Sequence, residues 1–411
     1  MDHAHRHSDQ HSHGEAAFPG GWRAWWADQR LRAVLAGVAA AAVATLAGVV
    51  ALWPGGEGRA EATARAGEIG LASERLAARV HSVTDATCPY SPAERPEVCR
   101  TVTVTPQEGP DAGRPIRLGE YNLSQPNTAP DLRVGDRLMV GYEPSTQSYF
   151  YADRDRRQLL VILAVVFAGV VVSLGRARGA LALVGMALTV VVLVAFVAPA
   201  VLDGHDPVLV AAVAAAAVAF ISLFLTHGVS PTTTVALAGT LCSLALTLAV
   251  TSFFFAAARF SGLASEEALA LPSLVGGIDL PGLVLAGALL GALGALDDVT
   301  VTQVAAVAEL HRRSPQLSRA ELLSSGVRVG REHIASTVNT LLLAYAGASM
   351  PLLLIFAVST QSLGTVANSE LIAVEVVRTL CGSIGLVAAV PITTALAALL
   401  LGAPARAEHA A

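Results

Sequence analysis

The chain of 411 residues contains no lysine, so all 27 of its basic side chains are arginine. A phosphate-cradling glycine loop that ends in Lys is therefore excluded, and with it an ATP-driven pump built from this chain alone. Any driving energy comes from an ion gradient or from a separate subunit. With so much Ala, Val and Gly, the missing Lys reads as the mark of a GC-rich coding sequence rather than as chemistry. Charge of either sign is also scarce, at 14% of residues, where soluble domains carry about a quarter. No nucleic-acid partner and no cofactor are expected. Catalytic signatures are missing as well. There is no Gly-x-Gly-Asp, no Gly-x-Ser-x-Gly and no His-Glu-x-x-His, and the chain is expected not to be an enzyme.

Apolar sequence takes the place of charge, with 54% of residues hydrophobic. It is gathered into runs of about 20 residues, each long enough to cross a bilayer core of roughly 30 Å. The expected fold is an all-α polytopic membrane protein of about eight spans, with a small β-rich extracytoplasmic domain between the first two. Residues 1–30 form a polar tail, expected to be disordered, with His3, His5, His7, His11 and His13 near its start. Such alternation can chelate a metal weakly, or the histidines are incidental. The first span covers 31–53; a signal peptide is its rival, but the apolar stretch is long for one. Seven more runs, roughly 159–174, 180–201, 208–225, 232–258, 280–310, 334–358 and 371–401, make the membrane domain of 159–401, and 402–411 is a second tail.

Residues 55–157 differ from everything around them. They are rich in Pro, Gly, Thr and charge. Arg-Thr-Val-Thr-Val-Thr at 100–105 and Arg-Leu-Met-Val-Gly-Tyr at 137–142 alternate as strands do, and 132–137 reads as a turn feeding the second. Arginines cluster before the first span, between the second and third, between the sixth and seventh, and after the eighth. That bias places both termini in the cytoplasm of a bacterial inner (plasma) membrane. The β domain then lies outside, where a Cys88–Cys99 disulfide is permitted. Cys242 and Cys381 lie in apolar runs and read as small core residues. Ser318-Arg-Ala-Glu321 has the form of a capping box and predicts a short surface helix over 319–325.

The sixth run carries Asp297 and Asp298 side by side. An acid at the bilayer centre costs roughly 2.5–3.5 kcal/mol on insertion scales, so it needs a partner, a wet cavity or a proton. Helical spacing puts Gly294, Asp298 and Thr302 on one face and turns Asp297 about 100° away. Gly287, Gly291 and Gly294 are spaced for close helix approach. The seventh run offers Asn339 among hydroxyls. The eighth carries Glu375 and Arg378, which can pair with each other, or Arg378 can reach across to Asp297 or Asp298. Pro391 is expected to kink that helix. Three acids facing one Arg leave negative charge for a proton or a cation. The expectation is a single three-helix cluster of Asp298, Asp297, Thr302, Asn339, Glu375 and Arg378 for an ion or small polar solute. His227, in a tight turn between the fourth and fifth runs, is either a proton relay or a plain loop residue.

Three segments then carry a resemblance. Gly-Ala-Leu-Asp-Asp-Val-Thr-Val-Thr-Gln at 294–303, Gly-Arg-Glu-His-Ile-Ala-Ser-Thr-Val-Asn-Thr-Leu-Leu-Leu-Ala-Tyr-Ala-Gly at 330–347 and Glu-Val-Val-Arg-Thr-Leu-Cys-Gly-Ser-Ile-Gly at 375–385 are similar to three helices of the YibE/F-like membrane protein family. The resemblance covers most of 159–401 and implies the family's helical architecture. It sets Asp298 on the family's acid, where many members carry Met in place of Asp297. It implies no substrate. The expected function is a secondary transporter or permease. The alternative is a scaffold or sensor whose outer domain binds a ligand or envelope partner. The expected partners in either case are the lipid bilayer and further copies of the chain in a homo-oligomer.

Overall fold

The computed structural model describes residues 29–68, 74–91, 95–124, 130–144, 146–358 and 360–401. The five N-terminal histidines and the tail from 402 lie outside the described residues. Two compact units make up the rest, one of them Ala60–Ser173.

That unit is built on a five-stranded antiparallel sheet in the order β3-β2-β1-β4-β5. The strands are β1 (Glu74–Thr87), β2 (Val98–Pro106), β3 (Ile116–Asn122), β4 (Arg137–Glu143) and β5 (Ser148–Arg154). The alternation read at 100–105 and 137–142 holds, because Val102, Val104, Leu138 and Val140 all turn inward to the same core as Leu76, Val80 and Leu118. Between Val80 and Ser82 the register of β1 shifts. A bulge bends a strand and sharpens its twist, so β1 pairs with β4 through 74–79 and with β2 from 78 onward. The sheet curls until β3 and β5 touch, giving a half-barrel. Gly135, at φ 94°, makes the turn foreseen before β4. Cys88 and Cys99 are joined in a disulfide. The β unit was expected at 55–157. The compact unit takes in most of a helix, α2 (Glu57–Glu68), and runs on to Ser173 with the start of α3 (Arg157–Val192).

The other unit is helical. It contains α1 (Gln29–Ala51), the rest of α3 with its π-helical continuation Leu193–Val197, α4 (Ala198–Leu202), α5 (Pro207–His227) and α6 (Pro231–Ala258). Then follow α7 (Glu266–Leu274), α8 (Leu280–Arg313), α9 (Arg319–Ala348), α10 (Met350–Ala357), α11 (Leu363–Ala367) and α12 (Glu370–Leu401). Among the described residues six helices are long and apolar enough to cross a membrane, or seven if the α9–α10 pair, bent by 70°, is one span. The stretch Arg157–Leu202 is one of the six. It is broken at Arg176, whose φ of 51° and ψ of −135° are not helical. The break falls where the sequence separates the second and third runs.

The capping box at Ser318 and Glu321 is present with both of its hydrogen bonds. The helix it starts is not short. It runs for 30 residues into the seventh apolar run, since Leu322, fully buried, packs it onto α8 and α12 at once. Pro391 lies inside α12, and the helix continues through it.

At the centre α6, α8 and α12 pack against one another through Leu237, Leu244, Leu289, Leu296 and Leu386. The interface is not purely apolar. Thr240, Ser243, Thr247 and Thr251 of α6 and Thr379, Ser383, Thr393 and Thr394 of α12 are all buried. Small residues let the helices close in, as a Cβ on Gly385 would stand 1.9 Å from the Thr247 hydroxyl. Helix association in lipid depends on this kind of fit and on interhelical hydrogen bonds, because apolar burial alone gives little drive there.

Candidate functional site

Helix α8 positions the two adjacent acids. Its start is set by Asp279, whose carboxylate accepts from the Gly282 amide at 3.0 Å, with Pro281 in the first turn. From there 34 residues run without interruption. One face, with Leu289, Leu296, Val299 and Gln303, is buried, which turns the acids toward the opposite side.

On that side lies a cavity of about 410 Å³ between α3, α5 and α8. Asp297, Asp298 and Thr302 of α8 line it together with Thr189 of α3 and Ser222, Thr226 and His227 of α5. Asp298 is exposed to the cavity, while Asp297 is half-buried. Asp297 meets the Ser222 hydroxyl, and its Oδ1 is buried with no hydrogen-bond partner among the described residues. The 100° between the two side chains therefore does not separate them into different sites. The cavity is wide enough to take both directions. Gly294 opens onto it as well, and neither Gly287 nor Gly294 has a neighbour within 4 Å of a Cβ position. Of the three glycines, Gly291 makes a close approach, with the Tyr345 hydroxyl 2.7 Å from where a Cβ would stand.

Two of the four hydroxyls near the acids are spent on the helix backbone. Thr302 donates to the carbonyls of Asp298 at 2.9 Å and Val299 at 3.1 Å. Thr189 does the same toward Gly185 at 3.0 Å. The carboxylates thus have few fixed donors, and the cavity keeps its acceptor character.

The expected three-helix cluster is not what the structure builds. Glu375 and Arg378 pair with each other on α12 at 3.0 Å, both half-buried. Glu375 lines a different cavity of about 230 Å³ with Tyr345, Thr379 and apolar side chains of α9, α10 and α12. Asn339 is exposed on α9 and bridges nothing to α8 or α12 in the described hydrogen bonds. The partners of Asp297 and Asp298 come from α3 and α5, earlier in the chain, and not from α9 and α12. Helical spacing shows which way a side chain leaves its own axis; it carries no information on which neighbour stands there.

Two residues matter more than their sequence context suggests. His227 ends α5 and sits in the cavity wall. Gln303 is buried at 3% exposure. Its Nε2 donates to the Gly326 carbonyl and to the Thr394 hydroxyl, both at 2.7 Å. Nearby, Thr240 and Thr300 share a hydrogen bond of 2.6 Å between α6 and α8. The available signal for Gln303 was an amide side chain in an apolar helix one turn beyond Val299, on the face opposite the acids. Among the described residues no three His, Cys, Asp or Glu side chains converge as a metal-binding set.

No curated protein and no solved structure matches the chain. Residues 163–403, which include α5, α6, α8, α9 and α12 with both cavities, match the family described as YibE/F-like protein. An apolar helical unit with its acids in a three-helix cavity, together with that match over more than half of the chain, places this protein in the YibE/F-like family.

Proposed function

We propose that the protein is a multi-pass permease of a bacterial plasma membrane, moving an ion or small polar solute coupled to protons carried at Asp297 and Asp298. The observation that carries the reading is the cavity on α3, α5 and α8. It gathers two carboxylates, four hydroxyl side chains and an imidazole among largely apolar helices. A buried carboxylate oxygen with no donor is costly as an anion, and a proton on Asp297 removes that cost. Asp298, more open to the cavity, is the acid that meets an arriving solute. The scarcity of fixed donors among the described residues fits a group that must release what it binds. In this reading both termini are cytoplasmic, the β unit is extracytoplasmic, and no bond of a substrate is made or broken.

Proton flux into proteoliposomes carrying a pH-sensitive dye, driven by a K⁺ diffusion potential, tests the proposal. Wild-type protein should acidify the lumen. Asp297→Asn and Asp298→Asn should each lower the rate by about tenfold or more, in line with the loss of a proton-transfer group, while melting as the wild type does. Wild-type flux in both variants would overturn it.

The self-contained β unit supports a second reading, in which that unit captures an envelope ligand and the helices anchor it. Flux that depends on the acids would exclude a purely anchoring role.

A further inference from the structure

We infer that His227 is the proton relay between the acid cavity and a second, hydroxyl-lined cavity at the start of α6. The inference rests on the proton-carrying role proposed above for Asp297 and Asp298. The second cavity, of about 200 Å³, is lined by Ser230, Thr232, Thr233, Ala236 and, from α8, Val301 and Ala305, with His227. His227 and Val301 are the residues that belong to the walls of both cavities. Val301 is apolar and passes no proton. His227 is therefore the polar group common to the two.

Its position follows from the local chain. Helix α5 stops at His227 because Gly228 takes a φ of 73°, and Ser230 restarts the chain as the cap of α6, accepting from the Thr233 amide at 3.2 Å. The imidazole thus stands at a helix break, exposed, and can turn between the two spaces. The charged groups that act on it are Arg178 from α3 and Asp298 from α8. The elements that pack around it from α6 bring hydroxyls and no charge.

The step is a plain proton transfer. The acid's O–H bond breaks as an N–H bond forms on one imidazole nitrogen, giving imidazolium and carboxylate. The N–H on the other nitrogen then gives its proton to water in the second cavity, and neutral imidazole is recovered in its other tautomer. A turn of the ring restores the starting state.

The same proteoliposome assay tests this with His227→Gln and His227→Ala. Both should lower proton flux roughly tenfold or more. Added imidazole should restore flux in His227→Ala, and a substituted imidazole of lower basicity should move the pH profile of the restored flux to lower pH. Infrared difference spectra provide the second readout. A carboxylic-acid C=O band that Asp297→Asn removes should persist in His227→Gln, with slower exchange when the medium is changed to D₂O. Wild-type flux in His227→Gln, with the band intact and lost in Asp297→Asn, would overturn the relay and leave the acid role standing. A loss of flux that imidazole does not rescue would overturn it also, as a structural effect. If the wild type carries no flux and Asp297→Asn removes no band, both proposals fall.

Discussion

Asp297 and Asp298 are consecutive in sequence yet differ in what surrounds them. The first is half-buried against Ser222 with an orphan oxygen, and the second is open to the cavity. Gln303 is the opposite case, a polar side chain whose amide is fully engaged. Its two hydrogen bonds tie α8 to α9 and α12. Gln303→Ala should lower unfolding stability by about 1–2 kcal/mol, the range for a buried hydrogen bond in protein or membrane. Most of that comes from the Gly326 carbonyl, since Thr394 keeps its own bond to Val390 at 2.6 Å. Unfolding in mixed micelles would measure it, and an unchanged free energy would show the hub to be dispensable. At this scale the sequence marked the acids, because an acid in an apolar run stands out. It did not separate Gln303 from Asn339. Both are amides in helices, and only the packing makes one a hub and leaves the other exposed.

Helix ends were more legible than helix neighbours. The capping box at Ser318 was readable because a cap depends on side chains within four residues. What the capped helix then did was not, because its length depends on Leu322 meeting α8 and α12. One helix start is capped from far away. Asp203, beyond the end of α4, accepts from the amides of Gly56 and Gly58 at 2.8 Å each, at the start of α2. Gly58 allows this contact, since a Cβ there would stand 2.1 Å from the Leu202 carbonyl oxygen. The Gly56 amide chiefly holds the Asp203 carboxyl below its ordinary range, with Gly58 adding to it. Asp155, before α3, is held at about 2 by the Arg157 guanidinium and amide. A lowered folded value means that each group stabilises the fold above its ordinary pKa of about 3.9. That contribution is lost as pH falls through the folded value, which for Asp155 is about 2. Asp203→Asn should therefore melt below the wild type at pH 7, and the two melting temperatures should converge below about pH 4. A constant gap across that range would show that the charge of Asp203 is not what matters.

As a whole the molecule joins a β unit that has its own core to a unit of helices, six or seven of which among the described residues are long and apolar enough to cross a bilayer. The β unit holds nine buried hydrophobic residues from four strands and a connecting loop in one cluster and carries its own disulfide. It should fold when produced alone under oxidising conditions. Cys88→Ser should lower its stability by about 2–3 kcal/mol, as expected for opening a loop of this length. Urea unfolding followed by circular dichroism would check it, and equal midpoints would mean the bridge is idle. The sequence by itself determined the class of each part. Apolar runs long enough for a bilayer, alternation in the strands and local caps all depend on residues close along the chain. Only the tertiary structure decided that Asp297 and Asp298 share a cavity with Ser222 and His227, while Glu375 and Arg378 close on each other elsewhere. The reason is physical: a helix wheel gives direction, and which helix stands in that direction is set by the packing of small residues against large ones across the whole bundle.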